Sequence, residues 1–136
     1  MAERLFALLV HDQSESFESL KYTLRDLSVE TYSVTTCKEA EALISQCRPH
    51  MIFTAKSVED GSWASILNIA DSADVPLSVI VVAAHPDTRF YVSVMERGAF
   101  DFVVPPFERE PLSFVTRSAA LYTHRRRDAL AHAGNA

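Results

Sequence analysis

Glycine is scarce in this chain, with three in 136 residues, at positions 61, 98 and 134, no two of them close together. That scarcity excludes a glycine-rich phosphate cradle and disfavours a nucleotide binder of the flavodoxin type. Cysteine is scarcer still: Cys37 and Cys47 fall ten positions apart on one predicted helix, ~15 Å along its axis and beyond disulfide reach. Both read as ordinary packed thiols. No apolar run approaches the ~20 residues of a membrane span, and the chain opens on strand-like sequence rather than a signal peptide, so a cytoplasmic location is expected. The formal charge of −5 gives no general attraction to nucleic acid or anionic lipid.

What is present is globular: 48% hydrophobic and 23% charged residues, in a length that suits one domain with a substantial core. Short apolar or β-branched runs alternate with segments of helical period, the pattern of a parallel sheet covered on both faces. The strands read as Leu5 to Val10, Glu30 to Val34, Met51 to Thr54, Leu77 to Val82 and Phe100 to Val103. Of these, Thr31-Tyr32-Ser33-Val34 alternates as an edge strand would.

Between and after them lie five helical stripes. The first carries Phe17, Leu20, Leu24 and Leu27. Thr36 with Glu39 reads as a capping box opening the second, whose inner face is Ala40, Leu43, Ile44 and Cys47. Asp60-Gly61 turns into the third, with Trp63, Ile66, Leu67 and Ala70 inward. The fourth starts near Pro86 and ends at Gly98, and the fifth, with Pro111 in its first turn, points Leu112, Val115, Ala119 and Tyr122 at the core. Residues 1–122 are expected to form the domain and 123–136 a helical extension or linker tail.

Several segments resemble the receiver domain of bacterial response regulators, over about Arg4 to Tyr122. Leu8-Leu9-Val10-His11-Asp12-Gln13 is similar to the first strand and its acidic pair, with His11 in place of one acid. Met51-Ile52-Phe53-Thr54-Ala55, followed by Lys56-Ser57, resembles the third strand, with Ala55 where the family carries its phosphoacceptor aspartate. Val79 to His85 resembles the fourth, with Ala83 at the Thr/Ser position. Gly98 to Phe107 is similar to the glycine-alanine turn, fifth strand and Lys-Pro ending, with Pro105 at the lysine. The resemblance implies a flavodoxin-like α/β fold, a single doubly wound five-stranded parallel sheet of order 2-1-3-4-5 with five helices, and a cis bond between Pro105 and Pro106.

Any site should then lie beyond the carboxyl ends of the first, third and fourth strands, among His11, Asp12, Ala55, Ser57, Ala83, Ala84 and His85. Phosphoryl transfer to a carboxylate needs a nucleophilic oxygen, a divalent cation and fixed donors. Of the family's set only Asp12 survives, and the three lysines, Lys21, Lys38 and Lys56, all precede the fourth strand. The pocket of His11, Asp12, Ala55, Ser57, Ala83 and Pro105 is therefore expected to be a degenerate phosphoacceptor site, without catalytic residues, metal or cofactor. The rival reading keeps a switch in which His11 and Asp12 still take a phosphoryl group or, with His85, a metal ion. His50 is expected at the opposite end of the sheet, and His124 and His132 in the tail.

The expected role is that of a protein–protein interaction or dimerisation module in bacterial two-component signalling, not an enzyme. The fourth helix carries Phe90, Tyr91, Val92, Val94 and Met95, more apolar positions than one buried stripe requires. The fifth adds Phe114 and Leu121 beside its core stripe. Phe90, Phe114 and Leu121 are the candidate contacts with a protein partner or second copy, on the face that the resemblance assigns to the fourth helix, fifth strand and fifth helix. A downstream output domain is a further expected partner. Arg125-Arg126-Arg127 reads as a solvated helix end, or a linker toward another domain, on an acidic domain rather than a nucleic-acid contact.

Overall fold

β-Branched runs at the centre of the chain make the two most deeply buried strands. In the computed structural model, which describes residues 4–134, every residue of β3 (Met51–Ala55) and β6 (Ser78–Val82) is buried. On one side they are flanked by β1 (Phe6–Val10) and the edge strand β2 (Glu30–Val34), on the other by β7 (Asp101–Val103). The sheet order is β2-β1-β3-β6-β7 and every pairing within it is parallel. This is the expected 2-1-3-4-5 order once a small antiparallel hairpin, β4 (Ser57–Val58) with β5 (Gly61–Ser62), is set apart. The hairpin was not foreseen, because two-residue strands carry no periodicity.

The helices are α1 (Glu15–Asp26), α2 (Cys37–Cys47), α3 (Trp63–Asp71), α4 (Thr88–Glu96) and α5 (Arg109–Gly134). Strand alternation distributes the core between two layers. Ala7, Leu9, Phe53, Ile80 and Val82 pack with Phe17, Leu20 and Leu24 of α1 and Leu112 and Ala119 of α5. Leu8, Val10, Ile52, Val79 and Val81 face the other way, onto α2, α3 and α4. No helix among the described residues is long and apolar enough to cross a membrane.

Capping follows the sequence closely. Thr36 Oγ1 accepts the Glu39 N–H at 3.1 Å, though the Glu39 carboxylate takes the Thr36 hydroxyl at 2.9 Å instead of closing the box on the backbone. Asp87 accepts the Phe90 N–H to open α4, and Gly98 ends it at φ +97°, a left-handed conformation that suits glycine. Cys37 and Cys47 are both free thiols on α2.

The inner face of α5 departs from the sequence reading. Tyr122 is 47% exposed, its ring against Phe100 at 5.4 Å, while Thr116 and Thr123 are buried. The apolar spacing points to a purely apolar stripe, whereas the helix buries hydroxyls whose partners lie nearby: Thr116 Oγ1 donates to the Ser113 carbonyl and Thr123 Oγ1 to that of His50. The helix runs unbroken past residue 122, and the fully buried Thr123 packs on the body.

Candidate functional site

The carboxyl ends of β1, β3 and β6 converge as expected, but the side chains there are directed to local structure or buried as methyls. His11 is half-buried beside Phe17, with ring centroids 5.7 Å apart, and its Nδ1 accepts the Gln13 N–H at 3.1 Å. Asp12 is exposed, and its Oδ1 accepts the Ser14 N–H at 3.0 Å. Ser14 precedes α1 without a side-chain cap of its own, so Asp12 shapes the entry to that helix. Gln13 between them takes φ 66°, a left-handed conformation that tightens the turn.

Ala55 closes β3 at 1% exposure within the apolar cluster that includes Leu9, Phe53 and Val82. Ala83 follows β6 at 7% exposure, its N–H donating to the Val103 carbonyl at 3.0 Å. Pro105 is half-buried and joined to Pro106 through the expected cis bond. Ser57 is exposed on the hairpin.

Two clefts open around this rim. One, of about 370 Å³, lies between Ala83, His85, Lys56 and Phe90; the other, of about 360 Å³, between His11, Thr35 and Glu59. Asp12 and Ser57 border both, whereas Ala55 lines neither. Magnesium, the ion the resemblance implies, favours near-octahedral oxygen ligation built on carboxylates. Asp12 is the one described carboxylate that directly ends β1, β3 or β6, and one of its oxygens already accepts a backbone N–H; of the other acids bordering the clefts, Glu59 lies on the hairpin and Asp87 accepts the Phe90 N–H at the start of α4. The residues present do not fit that ion. Nor do any three or more His, Cys, Asp or Glu side chains among the described residues come together as a metal site, so His11, His85 and Asp12 are not assembled into one.

Sequence reasoning missed Asp60. Its carboxylate reaches from the hairpin to the N-terminus of α2, accepting the Cys37 N–H at 2.6 Å and the Lys38 N–H at 3.1 Å. Those backbone bonds, the Cys37 one first, hold its pKa below the ordinary carboxylate value against a smaller opposing effect of desolvation. Burial, then the Asp60 charge, pushes the Cys37 thiol up. Gly61 fits the same seam tightly: a Cβ there would lie 2.8 Å from both Cys37 Sγ and Ser65 Oγ. Only the orphan N–H groups of α2 hinted at a partner, and nothing local points to an acid over twenty residues away.

Phe90 differs from the exposed anchor that was expected. It is half-buried, edge-on to Trp63 at 5.8 Å and to Phe102 at 5.3 Å, with Lys56 Nζ 4.9 Å above its ring. The extra apolar residues of α4 thus partly build an aromatic cluster with α3 and β7. Phe114 at 73% and Leu121 at 52% exposure do stand open on α5, as do Tyr91 and Val92 on α4. Between β7 and α5 lies a largely apolar cleft of about 240 Å³, lined by Phe102, Val103, Phe107, Leu112 and Val115 among others.

No model of a known protein family matches the chain. It is 26% identical to the response regulator PilR of Pseudomonas aeruginosa over 102 residues, covering 75% of this chain and 23% of that protein. It is 26% identical to the nitrogen assimilation regulatory protein NtrX of Azorhizobium caulinodans over 117 residues, 82% of this chain and 25% of that one. With the virulence transcriptional regulatory protein PhoP of Salmonella typhimurium it shares 28% over 103 residues, 76% and 46% of the two chains. The chain therefore spans less than half the length of these relatives. Among solved structures, the signal receiver domain of a Luxo-type repressor protein from Vibrio parahaemolyticus superposes with a TM-score of 0.74 at 26% identity, covering 88% of this chain and 95% of that one. A response regulator receiver domain protein from Clostridium thermocellum gives 0.73 at 20% identity, covering 87% and 95%, a likeness of fold.

Proposed function

We propose that this chain, a relative of the receiver domains of bacterial response regulators, is a pseudo-receiver that acts through protein contacts without being phosphorylated. The observation that carries the reading is Ala55: a buried methyl ends β3 where a receiver presents its acceptor carboxylate, and a methyl offers no nucleophilic oxygen. Ala83 and Pro105 extend the same reasoning, since neither side chain can donate a hydrogen bond to a phosphoryl oxygen. Asp12 is accounted for by its turn with Ser14.

Its role in two-component signalling is then that of an adaptor or dimerisation module, in the cytoplasm. The proposed contact surface comprises α4, β7 and α5, with Phe114 and Leu121 as its open apolar positions and Tyr91 and Val92 those of α4; half-buried Phe90 packs on Phe102 of β7. The relatives are longer than this chain, which suits a module that regulates an attached output domain or a separate protein.

The test is incubation with beryllofluoride or a small phosphodonor and millimolar magnesium, followed by intact mass, Trp63 fluorescence and amide NMR. No added mass and no saturable shift are expected. A stoichiometric shift at His11 or Asp12 would replace this reading with a receiver-type switch that still takes a phosphoryl group or metal ion there.

A further inference from the structure

We infer that Thr123 and Arg127 form a clasp through which the bases of β3 and β6 fix the direction of the distal half of α5 relative to the domain. Thr123, fully buried, donates its hydroxyl to the His50 carbonyl at 2.8 Å and meets Ser78 Oγ at 2.9 Å. One turn further on, the Arg127 guanidinium spans two loops, with Nε on the Pro76 carbonyl at 2.9 Å and a terminal nitrogen on that of Pro49 at 2.8 Å. His50 and Pro49 lead directly into β3, and Pro76 and Ser78 into β6.

These two strands run from the clasp to Ala55 and Ala83 at their other ends, about 16 Å away at ~3.3 Å per residue. They are fully buried and paired with each other along their whole length. The clasp is therefore anchored on a stiff element.

What holds the distal helix is polar. From residue 124 to 132 no apolar side chain is buried, and Leu130 and its neighbours stand open. An unsupported helical segment this short is marginal in water. Its order therefore draws on the hydroxyl and guanidinium contacts, together with the His124 ring packed against His50 at 5.2 Å between centroids, and the planar fork of arginine can reach two carbonyls together where a lysine ammonium is a point charge.

The experiment compares the whole chain with Thr123→Val, Thr123→Ser, Arg127→Gln and Arg127→Lys, using exposed Arg125→Gln as control. Amide exchange in residues 123–134 should quicken roughly tenfold in Thr123→Val and Arg127→Gln, the opening expected from losing one or two buried or charged hydrogen bonds. Protection across β1, β3 and β6 should hold. Thr123→Ser should retain protection, Arg127→Lys should fall between, and the control should not move. Residual dipolar couplings of residues 109–120 and 124–132 should fit one rigid body in the parent and two in Arg127→Gln. Unchanged exchange in Arg127→Gln would overturn the clasp. So would a loss of protection spread evenly over the domain, which would make the residue a general stabiliser; should Thr123→Val fail to fold, the partly exposed Arg127 decides alone.

Discussion

Restoring the missing acid is the most direct perturbation of the proposed pocket, and its cost can be worked from the burial of Ala55. The methyl lies at 1% exposure among Leu9, Phe53 and Val82, and the neighbouring Lys56 ammonium sits over Phe90. A carboxylate introduced by Ala55→Asp would lose its hydration without a fixed partner, and full burial raises a carboxyl pKa by up to ~3–5 units. A rise of about 3 units from ~3.9, at 1.36 kcal/mol each, makes the variant less stable than its parent by roughly 4 kcal/mol at pH 7 and about 1.5 kcal/mol at pH 5. The sign follows from the raised folded pKa: protons favour the folded form, so the penalty is absent below the unfolded pKa, grows as pH rises and levels off above the folded one. Ala55→Asn, of similar volume but uncharged, should show a penalty of about 1–3 kcal/mol that does not change with pH. Urea unfolding of parent and both variants at pH 5, 6 and 7 isolates the charge as the pH-dependent gap between the Asp and Asn forms. No such gap would mean that the end of β3 opens to water, which removes the basis for calling the site closed. On the proposed reading, Ala55→Asp alone should not bring switching, because Ala83 and Pro105 still offer nothing to a phosphoryl group.

Phe114→Ser with Leu121→Ser should weaken self-association or partner binding, read by sedimentation, while each exposed substitution shifts stability by only ~0.5 kcal/mol. Phe90→Ser should instead lower the melting temperature, by an equivalent of about 2–3 kcal/mol, because it removes ring contacts with Trp63 and Phe102; an unchanged melt would return Phe90 to the open surface. Asp60→Asn should flatten the acid limb of the stability curve. The Asp60 pKa is lowered on folding, so its contribution is present above the unfolded carboxylate pKa and disappears as pH falls through the folded one. Gly61→Ala should destabilise by about 1–3 kcal/mol in chemical denaturation, because its Cβ would meet Cys37 Sγ and Ser65 Oγ at 2.8 Å. Equal stability would show that the seam between the hairpin and α2 can relax.

The strands and helices were legible because each has the period of its own geometry, and β3 and β6 stand out as continuous apolar runs that only a doubly covered sheet explains. The shared rim was legible too, since topology alone brings His11, Ala55 and Ala83 to one end of the sheet. What could not be read is everything made by a side chain meeting a distant backbone. Asp60 caps a helix from another element, His50 accepts the Phe6 N–H, and Arg127 reaches loops some fifty and nearly eighty residues earlier in the chain. Such bonds depend on three-dimensional approach, and sequence spacing carries no trace of it. The threonines of α5 failed for a related reason: a hydroxyl looks solvent-facing until the carbonyl that satisfies it is known.

The methyls of Ala55 and Ala83 also alter the energetics of the pocket rim in a way that bears on its role. A rim of clustered carboxylates is a repulsive and strongly hydrated feature, stable only when a cation or donor neutralises it. With methyls at both strand ends, the core extends to the tips of β3 and β6, and the Ala83 N–H is tied to β7. Loss of a functional site that stored unfavourable charge commonly raises stability at the expense of switching. On the proposed reading, the chain would gain little from exchanging between two arrangements of the loops around Asp12 and Ser57. Its proposed contact surface would then be presented continuously, and control would come from how much of the chain or of its partner is present.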